Sequence, residues 1–232
     1  DTYTMSRKYL NFRSYQGNAL YSSTATISVL ARKSRKVSAQ EAPEYVAAML
    51  LAVSMMFLRF LILIGIFSIG ALTAIYPYLL IMSAVAAGTA WFLHSRWKRP
   101  AMSETVDEDE DGSNPLEFKV ALIFAVLFVV FTIATHYTLI YAGEGGLTLL
   151  SFVSGFSDIT PFILNLLQGT GNVPVSLITA CSMQAIVSNI AVNMCYALFF
   201  SGKKSPLRSW VLRGFGCVIA ANVLLLLFFY FL

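Results

Sequence analysis

Two ionisable side chains lie deep inside apolar runs of this sequence. Arg59 lies in the run that contains MMFLRFL, and Asp158 lies at the centre of SGFSDITPF. An ionised group inside a bilayer costs about 2.5–3.5 kcal/mol on insertion scales and is a candidate for binding an ion or substrate. Each residue also has a structural alternative, since Arg59 can anchor helix packing and Asp158 can cap a helix N-terminus. The two could also pair with each other, which would satisfy both charges.

Uncharged polar residues lie in comparable places. A hydroxyl cluster stands in the short run ALYSSTATISVLA, and two asparagines lie four residues apart in SNIAVN, hence on one face of a helix. Hydrogen bonding between helices is the structural alternative for the asparagines. The predicted ligand- or ion-binding residues are Ser22, Ser23, Thr24, Arg59, Ser157, Asp158, Asn189 and Asn193.

Catalytic motifs are absent from the sequence. It contains no HExxH, GxSxG or P-loop motif, and its two histidines, His94 and His136, are far apart. The acidic run 107–111 lacks the ligand spacing of an EF-hand. We therefore predict a protein that is not an enzyme and has neither a cofactor nor a metal site.

The composition is that of a membrane protein. Of 232 residues, 57% are hydrophobic and 12% are charged, whereas a soluble domain carries about 25% charged residues. The mean hydropathy is +0.71. The net charge of +4 comes mostly from short clusters that flank apolar runs, as in membrane loops, which argues against nucleic-acid binding. We predict a multi-pass protein of the inner (cytoplasmic) membrane, with the lipid bilayer as a partner.

Five apolar runs are long enough to cross a hydrocarbon core of about 30 Å. Two others are interrupted by polar residues, and the second has Gly155, Asp158 and Pro161 at its centre. Capping residues in both runs, Ser22, Ser23 or Thr24 in the first and Ser157 or Asp158 followed by Pro161 in the second, predict helices that begin inside the membrane. The predicted segments are a polar N-terminal segment 1–18; a first membrane repeat 19–93, with re-entrant 19–36 and spans 45–69 and 71–93; a charged cytoplasmic linker 94–119; and a second repeat 120–232, with span 120–142, re-entrant 146–168, and spans 175–200 and 210–232.

The distribution of Lys and Arg indicates whether the interrupted runs cross the bilayer. If both crossed, the N-terminal cluster and the Lys203 cluster would lie outside, against the positive-inside bias. If both enter and return, every Lys and Arg except Arg59 lies on one face. We therefore predict that the N-terminus, loop 32–36, linker 94–119 and loop 203–208 are cytoplasmic.

The two halves of the chain match under a shift of 134 residues. The shift pairs Ser23 with Ser157 and Ser54 with Ser188, and it preserves the order of elements while inverting their orientation. The first half then lacks a counterpart of span 120–142. The predicted fold is an all-α polytopic membrane protein with about five transmembrane helices and two re-entrant or broken helices, arranged as an inverted repeat whose first repeat is incomplete.

The segments ALYSSTATISVLARKSRK, MMFLRFL, SGFSDITPFILNLL and SNIAVN resemble the C-terminal membrane domain of MgtC/SapB-type proteins, a bacterial membrane family of unknown function. The resemblance covers the chain from about Ala19 to its end and implies a member without the N-terminal MgtC-like domain. Similar proteins tend to carry two carboxylates two residues apart after the SG, where this chain has Asp158 and Thr160, and a lysine where it has Asn193. If those groups form an ion site, the resemblance implies that the site is altered here.

Two functions fit these features. The first is a transporter or channel-like protein for a small ion or solute, because broken helices place dipole ends and backbone groups near the membrane midplane. The second is a non-catalytic membrane subunit that scaffolds or regulates a larger membrane complex, which the incomplete first repeat favours. The predicted partners are accordingly a small ion or solute, and further copies of the chain or other membrane subunits.

Overall fold

The computed structural model describes residues 23–36, 39, 41–96, 115–168, 174–202 and 205–231. The regular structure of these residues is entirely helical, and five helices (α2, α3, α4, α6 and α7) are long and apolar enough to cross a membrane. The chain is therefore an all-α, multi-pass membrane protein surrounded by a lipid bilayer. The helices are α1 (Ser23–Lys33), α2 (Ala42–Phe67), α3 (Ile69–Arg96), α4 (Pro115–Ser154), α5 (Ile159–Gln168), α6 (Val175–Ser201) and α7 (Leu207–Phe231), with a 3₁₀ turn over Ser34–Lys36.

Helices α2, α3, α6 and α7 begin and end within three residues of predicted spans, whereas α4 begins five residues before the predicted span 120–142 and ends twelve residues after it. The turn between the first two spans lies at Ser68 and not between residues 69 and 71. Ser68 is extended (φ −155°, ψ 102°), and its Oγ accepts a hydrogen bond from the Ala71 N–H at 3.2 Å. A serine hydroxyl can cap the first turn of α3, whereas a glycine such as Gly70 has no side chain to accept this hydrogen bond. The predicted segment 1–18, Ser22 and most of linker 94–119 lie outside the described residues.

Helix α4 contains a sharp break. Gly143 has φ 59° and ψ −147°, in the region that favours glycine. A Cβ at Gly146 would overlap Ala142 and lie 2.7 Å from Cγ2 of Thr138, although residues 138 and 146 are about 12 Å apart in a straight helix. The predicted span therefore ends at this break, and residues 144–154 form a separate arm of α4.

The chain divides into two compact units, Asp1–Pro100 with Ile190–Leu232, and Ala101–Asn189. In the first unit, α2 and α3 form a hairpin in which Ser54 Oγ donates to the Ser83 carbonyl at 3.1 Å and Ser83 Oγ donates to the Ser54 carbonyl at 3.4 Å. Helix α7 packs on this hairpin, where the buried Tyr78 hydroxyl donates to Oδ1 of Asn222. Reciprocal bonds of this kind join helices where lipid offers no competing water.

The cationic ends of the first unit lie together at the C-terminal end of α6. Arg35 Nε donates to the Phe200 carbonyl at 2.6 Å, and Arg208 Nη1 donates to the Leu198 carbonyl at 3.3 Å. The loop after α1 and the start of α7 are therefore neighbours. The prediction that both loops face the cytoplasm stays a prediction.

Labelling of single cysteines tests this topology. Ser34 is buried, so we choose the exposed positions Ala39 and Ser209, in a variant whose three native cysteines are replaced by alanine. Ala39→Cys and Ser209→Cys should react with a membrane-impermeant maleimide from the same face, and Gly145→Cys should react from the opposite face. Reaction of the first two from opposite faces would refute the re-entrant topology.

Candidate functional site

The second unit contains a break between the arm 144–154 and α5. After Ser154 the backbone makes three tight turns, from Gly155 N to Phe152 O (3.3 Å), from Phe156 N to Val153 O (3.1 Å) and from Ser157 N to Ser154 O (3.0 Å). Regular α-helix resumes at Ile159. The run that the sequence predicts to be interrupted is thus broken at residues 155–158. This is where Gly155, Asp158 and Pro161 indicated a break.

Asp158 is the N-cap of α5. Its Oδ1 accepts a hydrogen bond from the Thr160 N–H at 2.9 Å, and Pro161 stands in the first turn of the helix. The carboxylate therefore occupies the positive end of the α5 dipole. The structural alternative for Asp158, a cap at a helix N-terminus, is confirmed. Asp158 is also exposed, so capping leaves its carboxylate accessible.

Side chains of α6 hold the broken segment. Ser188 Oγ donates to the Phe152 carbonyl at 2.7 Å, and Asn189 Nδ2 donates to the carbonyls of Gly155 at 3.2 Å and Ser157 at 3.4 Å. Both α6 side chains are buried. Carbonyls that leave a helix inside a membrane need such donors, because lipid offers none.

The break lies beside the middle of α6, because Ser188 is the fourteenth of the 27 residues of that helix. The first half of α6 is about 20 Å long and α5 about 15 Å. If α5 continued away from Val175, its end would lie about 35 Å from that residue along the α6 axis, whereas seven residues reach at most about 25 Å. Helix α5 therefore does not continue along α6 away from Val175. The re-entrant path of segment 146–168 stays a prediction.

A row of hydroxyls follows the arm towards the break. Ser151 Oγ donates to the Thr148 carbonyl and Ser154 Oγ to the Ser151 carbonyl, both at 2.7 Å, and Ser157 Oγ donates to the Ser154 carbonyl at 3.1 Å. Ser151 and Ser154 are completely buried. The prediction named only Ser157, although the three-residue spacing in the sequence could have indicated the other two.

Asn165 was also missed by the prediction. Its Nδ2 donates to the carbonyls of Phe128 at 3.1 Å and Pro161 at 3.0 Å, and its Oδ1 accepts from Thr132 Oγ1 at 2.6 Å. The bonds with Phe128 and Thr132, together with the contact between the Phe131 and Phe162 rings at 5.8 Å, join α5 to α4, whereas Pro161 belongs to α5 itself. A single asparagine in the apolar run FILNLLQ was the available signal.

The remaining predicted residues belong to the first unit. Ser23 Oγ lies 3.5 Å from Sδ of Met56, the fifteenth of the 26 residues of α2, so the start of α1 is level with the middle of that span. Thr24 follows Ser23 on α1 and is partly exposed. Arg59 Cζ lies 5.4 Å from the centre of the Phe60 ring, and Asn193 is completely buried on α6.

The structure thus brings Ser157 and Asn189 together, with Asp158 next to them in the chain. Ser23 and Thr24 adjoin each other in the other unit. The pairing of Arg59 with Asp158 stays a prediction.

Comparisons with known proteins identify a family. The model of the family described as "Domain of unknown function (DUF4010)" matches residues 18–201. An uncharacterised protein of Aquifex aeolicus (strain VF5) is 27% identical over 126 residues, which are 52% of this chain and 55% of the relative, so the chain spans about half the length of that relative. No solved structure matches. The resemblance to MgtC/SapB-type proteins stays a prediction. Because the family model covers most of the sequence, the chain belongs to the DUF4010 family.

Proposed function

We propose that the chain is a non-enzymatic transporter or channel-like protein for a small ion or solute in the cytoplasmic membrane. The observation that carries this proposal is the break at residues 155–158, which lies beside the middle of α6 and bears the exposed carboxylate of Asp158. Irregular backbone at such a depth is tolerated against protein or in a water-filled cavity. Helix α6 donates to the carbonyls of Gly155 and Ser157, whereas Asp158 is exposed. A hydrated path or a bound ion is the best explanation for an exposed carboxylate at this depth.

The signs of the charges favour a cation or a proton as the transported species. From Val120 to Gly202 the formally charged residues are two carboxylates, Glu144 and Asp158. A helix N-terminus often binds an anion, but the N-terminus of α5 already binds the carboxylate of Asp158. An anionic substrate would meet like charge there, whereas a cation would not.

The inverted repeat is part of the same proposal, since such repeats are typical of secondary transporters. The 134-residue shift carries α2 onto residues 176–201, one residue from the start of α6. It also carries the contact of Ser23 with Met56 close to that of Ser157 with Asn189. In each unit a short helix therefore begins beside the middle of a long one, which supports the repeat.

The substitution Asp158→Asn tests the proposal, because asparagine caps a helix about as well as aspartate but carries no charge. In proteoliposomes loaded with Na⁺-, K⁺- or pH-sensitive dyes, wild-type protein should carry at least one of these ions. Asp158→Asn should lower that flux about tenfold, because it removes one charged ligand. Its unfolding temperature should stay close to that of the wild type.

Glu144→Gln is the matched control, since it removes the other carboxylate, at the start of the arm. We expect it to retain most of the flux. An unchanged flux in Asp158→Asn would exclude this carboxylate from the path. Absence of flux in the wild type would contradict transport and favour the alternative, a membrane subunit that scaffolds or regulates a larger complex.

A further inference from the structure

Three arginines of the first unit meet at the C-terminal end of α6. Arg35 and Arg208 donate to the carbonyls of Phe200 and Leu198. The guanidinium carbon of Arg32 lies 4.5 Å from the centre of the Phe200 ring. We refer to Arg32, Arg35 and Arg208 as the arginine cluster.

The α6 carbonyls accept only a small part of the hydrogen bonds that the arginine cluster can donate. A guanidinium carries five N–H donors. Among the described residues, Arg35 and Arg208 each donate one hydrogen bond to a carbonyl, Arg32 makes only its ring contact, and no carboxylate pairs with any of the three. The end of a helix offers about half a negative charge against three positive ones. The cluster therefore has an excess of positive charge and many N–H groups without a protein acceptor in this part of the chain.

The position of the cluster determines which anion can reach it. Arg32 and Arg35 are exposed and Arg208 is partly exposed. All three lie at the C-terminal end of α6, a helix long enough to span the bilayer, and lipid headgroups lie at such an end. Aromatic side chains typical of the membrane interface stand at the same end: Trp91 is 74% exposed near the end of α3, and Trp210 lies in the first turn of α7.

We propose that the arginine cluster binds the phosphate of an anionic phospholipid. Phosphate oxygens accept paired N–H bonds from guanidinium groups. Basic clusters at the ends of membrane helices attract anionic headgroups, with about a fivefold gain in affinity for each basic residue. Bound lipid would offset the mutual repulsion of the three arginines and would join α1, α6 and α7 at this end. The inference does not depend on whether the protein transports a solute.

Thermal unfolding of the purified full chain in an uncharged detergent tests the proposal. Added phosphatidylglycerol should raise the unfolding midpoint by several degrees, whereas phosphatidylcholine or inorganic phosphate should leave it nearly unchanged. Arg32→Gln removes no hydrogen bond among the described residues, so this variant should fold. It should weaken the affinity for phosphatidylglycerol about fivefold, and the double variant Arg32→Gln/Arg35→Gln about twenty-fivefold.

Arg213→Gln is the matched control, because Arg213, like Arg32, is exposed and lies over an aromatic ring, but that ring is Trp210 of its own helix at 5.2 Å and not Phe200 of α6. This variant should keep its affinity for phosphatidylglycerol within about twofold. An equal loss in Arg213→Gln and Arg32→Gln would overturn the site in favour of diffuse surface charge. Equal stabilisation by inorganic phosphate would overturn the assignment to lipid, and unchanged binding in Arg32→Gln would overturn the role of the cluster.

Discussion

Replacing Gly155 with alanine is expected to destabilise the protein by about 3 kcal/mol, the upper part of the range for overpacking a buried site. A Cβ at this position would overlap the side chain of Ser188 and lie 2.8 Å from the backbone nitrogen of Asn189. Because that nitrogen belongs to a regular helix, the strain cannot be relieved by rotating one side chain. The measurement is the unfolding midpoint in detergent, by heat or by denaturant.

Gly145→Ala is the control for the Gly155 prediction. It lies in the same arm with no atom within 4 Å of a built Cβ, so alanine there should be neutral or stabilise the protein by up to about 1 kcal/mol. Ser188→Gly combined with Gly155→Ala should recover part of the loss, since it removes the atoms that a Cβ would overlap. If Gly155→Ala were as stable as Gly145→Ala, the close packing of the break against α6 would be wrong.

Asn189→Leu should destabilise the protein by about 2 kcal/mol, because two backbone carbonyls lose their α6 donor. Those carbonyls belong to Gly155 and Ser157, which lie outside regular helix and beside the middle of a membrane span. Ser188→Ala removes a single bond, to the Phe152 carbonyl, and should cost about half as much. We also expect Asn189→Leu to abolish ion flux, since the position of Asp158 depends on the geometry of the break.

Gln184→Leu serves as the control for Asn189→Leu. It replaces another amide of α6, one that is partly exposed and not involved in the break. Its unfolding midpoint should stay near that of the wild type. Equal stability of Gln184→Leu and Asn189→Leu would contradict the assignment of Asn189 as the residue that holds the broken segment.

The spans and the break were predictable because they depend on local properties of the chain. The length of an apolar run is set by the thickness of the bilayer, and α2, α3 and α6 begin and end within three residues of the predicted spans. The break at Gly155 and Asp158 follows from residues that stop one helix and cap the next. The capping role of Asp158 was likewise predictable from its residue type and from its position shortly before Pro161 in the sequence.

The partners of these residues were not predictable in the same way. Asn189 was predicted as a ligand or as a source of hydrogen bonds between helices, and in the structure it donates to two carbonyls that lie outside regular helix. Asn165 was overlooked, although two hydrogen bonds, with Thr132 and with the Phe128 carbonyl, place it at the junction of α5 with α4. The hydroxyls of Ser151 and Ser154 were read as part of an apolar run, because burial cannot be judged without the neighbouring helix.

The sequence by itself therefore determined the membrane class of the chain, its five spans and the positions at which a helix is interrupted, because hydrophobic length and capping act over a few consecutive residues. Only the tertiary structure decided which side chains satisfy the interrupted backbone and where the cationic ends meet. Asn189 and Gly155 are 34 residues apart, and Arg35 and Phe200 are 165 apart. Contacts over such separations depend on how complete helices pack, and many polar side chains in an apolar sequence could have made the same bonds.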